Sequence, residues 1–202
     1  NNNFFQDNIK KLTPKIQYIK DSIGVRQNDL VISMCCSFTK RKRPTDLIKT
    51  AIEMNNTNIF LLFIGDGPQR SLIESKLKGT GIRYHITGFL GQNQISEYYL
   101  ISDISVVLSD YDPSPKAMNE AMNFSNCIIS TKNVGTANDL IKQNQNGYII
   151  DVGDIPELKK TLTYLESNRD HVKNMGKKSL DIVMLFNYFE NAKAIEKAIV
   201  SI

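Results

Sequence analysis

Histidine and cysteine are scarce in this chain, with two of the first and three of the second among 202 residues. Neither His85 nor His171 has a ligand partner at a useful spacing, so no metal site is expected. Three cysteines cannot all pair, and Cys35, Cys36 and Cys127 fall within apolar, strand-like runs. They read as reduced, buried thiols of a cytoplasmic protein. No apolar run approaches the roughly 18 residues that would cross a bilayer, and no secretory signal pattern is visible. Low-complexity runs are few and charged residues make up 23%, which argues against disorder. The net charge of +4 suits an anionic ligand but is too small an excess to indicate nucleic acid. With 41% hydrophobic residues, the chain can bury one substantial core and reads as a single domain.

The stretch from Ser109 to Met122, SDYDPSPKAMNEAM, carries the most information. An apolar strand end leads into a loop with two prolines and then a helix bearing a carboxylate. Asp112 precedes Pro113 and is biased to an extended conformation. Ser114 is placed to be the N-cap, with Pro115 as the first helical residue, where a missing N–H costs nothing. The amides of Lys116 and Ala117 then point outward, and an anion there meets free donors and the positive end of the helix dipole. Glu120 lies inside the helix, eight positions after Asp112. A phosphate seat between two carboxylates suits a nucleotide joined to a sugar, whose vicinal hydroxyls the carboxylates can accept.

Apolar runs alternate with helix-like segments along most of the chain. Strands are predicted at Leu30–Cys36, Ile59–Ile64, Tyr84–Thr87, Ile104–Leu108, Cys127–Ser130 and Tyr148–Asp151. Helices are predicted at Thr45–Met54, Gln69–Leu77, Gln94–Ile101, Lys116–Phe124 and Ala137–Ile141. The pattern predicts an α/β, Rossmann-like doubly wound parallel sheet of about six strands, with ligands beyond the carboxyl ends of the strands. Ser37, Gly65, Ser109 and Thr131 emerge on that edge. Residues 29–151 form the predicted core, and 1–28 a helical lead-in broken at Pro14. Residues 152–202 are extra C-terminal helices, at Ile155–Leu165, His171–Leu185 and Tyr188–Val200.

The order of motifs resembles the C-terminal, donor-binding half of a retaining family 4 (group 1) glycosyltransferase with the GT-B fold. The likeness runs from NNNFF through the FIGDGP turn to the GYIID strand and closing helices. Its most specific piece is the acidic pair with seven residues between, followed by Ala121-Met122. Many relatives read Glu-Gly-Phe-Gly where this chain has Asp112-Pro113-Ser114-Pro115.

The resemblance implies that Glu120 binds the ribose, that Asp112 contacts donor-sugar hydroxyls, and that Lys42 in SFTKRKRP binds the diphosphate. The family places another Arg or Lys five residues earlier, where this chain has Ser37; Lys116 could replace that cation from the other side. Gly65 allows close backbone approach to a ligand, and Phe89 and Leu90 match the loop that holds the base through main-chain bonds. Thr131 to Thr136 could border the sugar.

The implied donor is a UDP- or GDP-sugar used without a required metal, and the acceptor a glycan or lipid-linked sugar held by an N-terminal domain outside these residues. The implied location is the cytoplasm or the inner face of the cell membrane, with peripheral membrane association through basic residues as one option.

Plainer readings stand beside these. Lys40 to Arg43 is a solvated basic loop before a helix starting at Pro44, with only Lys42 directed at ligand. Gly65-Asp66-Gly67-Pro68 is a tight turn, Tyr98 and Tyr99 are helix packing, and His85 is structural. No Ser-His-Asp or Cys-His arrangement is visible. The competing functions are a non-catalytic nucleotide-binding module, in which Ser37 and Asp112 mark eroded chemistry, and a GT-B sugar-nucleotide epimerase, against which the scarcity of histidine speaks. A flavodoxin-like signalling domain lacks support, because no acidic cluster follows the first strand.

Overall fold

The computed structural model describes residues 2–186 and, beyond them, residues 192, 193, 196, 197 and 199. Most of the predicted Tyr188–Val200 helix lies outside the described residues.

The chain opens with α1 (Asn2–Leu12), a single tight turn at Thr13–Lys15 holding Pro14, and α2 (Ile16–Ser22). Proline cannot donate an intrahelical bond, so the predicted break falls where expected. Repeating units follow: β1 (Leu30–Cys35), α3 (Pro44–Met54), β2 (Ile59–Ile64), α4 (Arg70–Leu77), β3 (Arg83–Ile86), α5 (Gln92–Leu100), β4 (Ile104–Val107), α6 (Lys116–Asn123), β5 (Cys127–Thr131), α7 (Ala137–Leu140) and β6 (Gly147–Ile150). Two further helices, α8 (Ile155–Ser167) and α9 (Arg169–Met184), close the described part. Each predicted strand is present to within a residue at either end.

All six strands are parallel, in the spatial order β3-β2-β1-β4-β5-β6. This is the Rossmann-like doubly wound order. Successive side chains on a strand point to opposite faces, so each strand feeds two cores. Leu30, Ile32, Met34, Leu61, Phe63 and Ile129 pack under α3, α4 and α8 through Leu47, Ile48, Ile73 and Leu162. Val31, Phe60, Leu62, Ile64 and Ile128 pack on the other face under Tyr99, Met118, Met122 and Leu140. Phe5 and Ile19 of the lead-in join this second core, with Phe5 edge-on to Phe124 at 5.7 Å.

A polar seam crosses the middle of the sheet. Ser33 Oγ on β1 lies 2.6 Å from Ser105 Oγ on β4, and Ser105 donates to Asn126 Oδ1 at 2.8 Å. Asn126 Nδ2 then donates to the carbonyls of Ser102 (2.8 Å), Tyr99 (3.1 Å) and Phe124 (3.2 Å). These buried groups are therefore satisfied, as burial demands. At the outer border, Gln143 folds back beside β6, and its side chain accepts the Ile149 N–H at 2.8 Å.

Close backbone contacts fix where α9 lies. Gly176 faces the Ser125 carbonyl, and a Cβ on it would fall 1.9 Å from that oxygen. Alanine normally improves a helix interior by up to about 1 kcal/mol relative to glycine. Here Gly176→Ala is expected to act in the opposite direction, lowering stability by about 1–3 kcal/mol through overpacking. Urea unfolding of the two proteins measures the sign.

Candidate functional site

The crossovers leaving β1 and β4 depart toward opposite edges of the sheet, so their loops part above the carboxyl ends of these two strands. The gap is a crevice of about 190 Å³. Its walls are Met34 to Ser37 at the end of β1, Val106 to Ser109 at the end of β4, Lys42, and Pro115 to Ala117. Ser37, Lys42, Lys116 and Ala117, far apart in the chain, thus meet in one place.

The amino end of α6 forms one wall. The pattern of Ser114 and Pro115 predicts a serine cap, but the helix starts one residue later. Pro115 occupies the N-cap in an extended conformation (φ −70°, ψ 116°), and no side chain caps the helix. Each residue ahead of a proline is pushed toward extended backbone, and Pro115 continues that run. Its own carbonyl accepts the first helical bond, from Met118 N at 3.1 Å. Ser114 stays exposed in the loop. The helix start therefore opens on the crevice without a serine side chain occupying it.

Nearby, Ser109 is fully buried in the crevice wall, and its hydroxyl has no hydrogen-bond partner among the described residues. An unsatisfied buried hydroxyl is costly, and sequence reasoning singled Ser109 out only as a strand end.

Lys42 and Asp112 form an ion pair across the crevice mouth, both side chains being largely buried. The Asp112 backbone is pinned from the other side: its N–H donates to the Asn133 carbonyl (3.3 Å) and its carbonyl accepts from Gly135 N (2.8 Å). Gly135 is required there, because a Cβ would lie 2.4 Å from the Pro113 carbonyl oxygen. The TKNVGT segment thus braces Asp112.

The neighbours of Lys42 depart from the expected solvated loop. Arg41, though exposed, donates to the Tyr111 carbonyl, and Arg43 pairs with Asp46 (2.6 Å) and Asp110 (2.7 Å). Arg43 adopts a left-handed backbone (φ 54°, ψ 45°), which costs a non-glycine residue about 1–2 kcal/mol.

Glu120 sits one helical turn beyond Lys116 on α6, a spacing that places both on one face. It is half-buried, and Tyr99 Oη donates to its carboxylate at 3.4 Å and to the Ala117 carbonyl at 3.3 Å. Burial raises the Glu120 carboxyl above its ordinary range, and burial likewise holds the Tyr99 hydroxyl protonated. Tyr99 packs as predicted, but its hydroxyl contact to Glu120 has no signature in sequence.

The remaining predicted residues stand at the ends of β2 and β3, on the same edge. A Cβ on Gly65 (φ 131°) would fall 2.2 Å from the Cys36 carbonyl oxygen, so the protein's own backbone already demands glycine. Gly65 pairs with Gly88, after which Phe89 is 89% exposed while Leu90 packs toward the second core.

The cysteines divide. Cys127 is buried, whereas Cys35 and Cys36 are only half-buried because they line the crevice. Burial still pushes their thiols to about 11 and about 12, so they stand protonated and inert. His85 stacks on Tyr98 with centroids 6.1 Å apart, and burial lowers its pKa. Among the described residues no group of three His, Cys, Asp or Glu could hold a metal ion, and no helix is long and apolar enough to cross a membrane.

The sequence model of "Glycosyl transferases group 1" matches residues 15–181. The chain belongs to that family. Among curated relatives, it is 25% identical over 181 residues to N-acetyl-alpha-D-glucosaminyl L-malate synthase of Bacillus anthracis, covering 89% of this chain and 46% of that protein. It is 23% identical over 167 residues to alpha-monoglucosyldiacylglycerol synthase of Acholeplasma laidlawii, covering 81% of this chain and 41% of the relative. The chain therefore spans less than half the length of these relatives.

Among solved structures, HepE of Anabaena in complex with UDP superposes with a TM-score of 0.82 at 17% identity, over 94% of this chain and 53% of that one. The C-terminal domain of the group 1 protein LpcC from Francisella tularensis gives 0.74 at 22% identity, over 83% of this chain and 90% of that one. These likenesses establish the fold.

The raised Glu120 carboxyl has a consequence for pH. Between its ordinary value and its raised folded value, the native chain holds a proton that the unfolded chain has released, so stability declines as pH rises through that window. Burial raises Asp103 in the same direction, so Glu120→Gln is expected to remove only the Glu120 share of the decline, read as the difference in urea midpoint between the two proteins across a pH series starting below the ordinary carboxylate range.

Proposed function

We propose that this chain is the donor-binding half of a GT-B glycosyltransferase of family 4, which seats a nucleoside diphosphate sugar in the crevice between β1 and β4 and transfers the sugar with retention. The observation that carries the reading is the uncapped amino end of α6, opening on that crevice beside Lys42 and the unpartnered Ser109 hydroxyl. A helix start is favourable to an anion by about 0.3–1 kcal/mol where exposed, and more where partly buried. A diphosphate there meets backbone donors, two ammonium groups and a buried hydroxyl that would otherwise remain unsatisfied.

The chemistry follows from charge. As the glycosidic bond to the diphosphate breaks, negative charge grows on the leaving oxygen. Lys42, Lys116 and the α6 amides stabilise it, which is electrostatic catalysis by fixed groups. No metal is required in this scheme. Lys42 gives up Asp112 for the phosphates, freeing the Asp112 carboxylate to accept a donor-sugar hydroxyl. Glu120, held by Tyr99, accepts the ribose hydroxyls, while the loop at Phe89 and Leu90 borders the base. HepE was solved with UDP-glucose and with UDP, which favours a uridine over a guanosine donor.

The acceptor, a glycan or lipid-linked sugar, belongs to a second half outside these residues, and transfer requires both halves. The cytoplasm, including the inner face of its membrane, is where such a donor and a lipid-linked acceptor would meet.

A lysine in the first turn of a helix opposes the dipole, so the place of Lys116 is better explained by a ligand than by helix stability. Lys116→Ala is therefore expected to weaken UDP binding by about tenfold while leaving the fold intact. Unchanged affinity by calorimetry would exclude Lys116 from the seat. In a thermal-shift panel of UDP, GDP, ADP and their sugars, the true nucleotide at one hundred times its Kd is expected to add about 2.7 kcal/mol of stability. In the full-length protein, Glu120→Ala should abolish transfer with folding preserved; persistence of transfer would overturn the role of Glu120. A correctly folded full-length protein that binds donor but transfers nothing would favour the non-catalytic module.

A further inference from the structure

Three consecutive basic residues after β1 reach a single loop after β4. Arg41 donates to the Tyr111 carbonyl, Lys42 pairs with Asp112, and Arg43 Nη1 donates to Asp110 Oδ1 at 2.7 Å. The loop answers with a backbone bond, Asp110 N–H to the Arg41 carbonyl at 2.9 Å. These contacts join the two loops beside the crevice, with Lys42 alone of the three basic residues lining it.

The Arg43 contact differs from the Lys42 contact in one respect: Arg43 is not among the residues lining the crevice. A ligand drawing Lys42 inward would therefore leave the Arg43 pair in place. The same guanidinium is held by Asp46 in the first turn of α3, and it lies against Gly153, where a Cβ would come 2.8 Å from Nη2. It thus ties together the loops that follow β1, β4 and β6.

The backbone at Arg43 is what raises this above an ordinary surface pair. Its φ of 54° and ψ of 45° favour glycine, and the next residue is Pro44, which pushes its predecessor toward extended backbone. Arginine stands at a position where glycine would meet less strain. Strain retained next to a site is reason to look for a role there.

We propose that Arg43 is a positioning residue, clasping the two loops so that Lys42 can leave Asp112 for a diphosphate while the loops stay joined beside the crevice. This rests on the reading of the crevice as a nucleoside diphosphate seat. The clasp acts through Lys42, so its removal costs affinity more than stability. Arg43→Gly relieves the left-handed strain as it deletes two partly exposed ion pairs, which individually are weak.

The test is calorimetric titration of UDP and GDP into the wild type and the variants Arg43→Gly, Asp110→Ala and Lys42→Ala, with melting temperatures measured in parallel. Arg43→Gly is expected to melt near the wild type and to bind about tenfold more weakly, the scale of one lost charge-assisted contact. Asp110→Ala should show a similar loss, and the Arg43→Gly, Asp110→Ala double variant little more than either alone. In the Lys42→Ala background, Arg43→Gly should cost nothing further, a coupling that a purely structural role would not produce.

Wild-type affinity in Arg43→Gly, with Lys42→Ala weakened, would overturn the clasp and leave the seat standing. An equal loss from Arg43→Gly with and without Lys42 would also overturn the clasp. A wild type that binds neither nucleotide would overturn both readings.

Discussion

The parting of the chain between β1 and β4 is the constraint on which the rest of this structure depends. Parallel strands need crossovers, and two crossovers that leave neighbouring strands for opposite edges cannot cover the ground between their starting points. The opening is thus a product of winding, present whatever side chains line it. Beneath it, the Ser33–Ser105–Asn126 seam adds directional side-chain bonds to the backbone pairing that joins the two strands.

The crevice loops carry a balance of charge. Lys42 is attracted both by Asp112, which it now holds, and by any anion at the start of α6. Pairing removes the cost of leaving an ammonium and a carboxylate largely buried and alone. The pair is therefore a sensible resting state and a competitor for phosphate at once. The Asp112 backbone is kept in place by Asn133 and Gly135 from the opposite side, independently of the lysine.

Much of the fold was legible because buried parallel strands are written as continuous apolar runs. IFLLFI at 59–64 has the length and the β-branched and aromatic content of a buried strand, and its bounds agree with the structure. The Pro14 break and the start of α3 at Pro44 follow from missing backbone donors. The helix start at Ser114 and Pro115 was misread because local propensity favours a serine cap, whereas two X-Pro steps kept the chain extended one residue longer. Pairwise contacts between distant loops left no trace in sequence: KRKR looks the same whether solvated or bonded to residues 110–112. Gly65 could be seen to allow close approach, but what approaches it is this protein's own backbone, as the structure also shows at Gly135.

The placement of Gln143 reaches beyond the crevice. An outermost strand in a parallel sheet presents unpaired amides and carbonyls to whatever passes, and a second molecule can extend the sheet by adding its own border. By lending a side-chain carbonyl to Ile149, Gln143 acts as a short false strand and shields part of that template. With Asn144 N–H donating to the Gly147 carbonyl beside it at 3.0 Å, the fold thereby discourages end-to-end polymerisation on its β6 side with two residues.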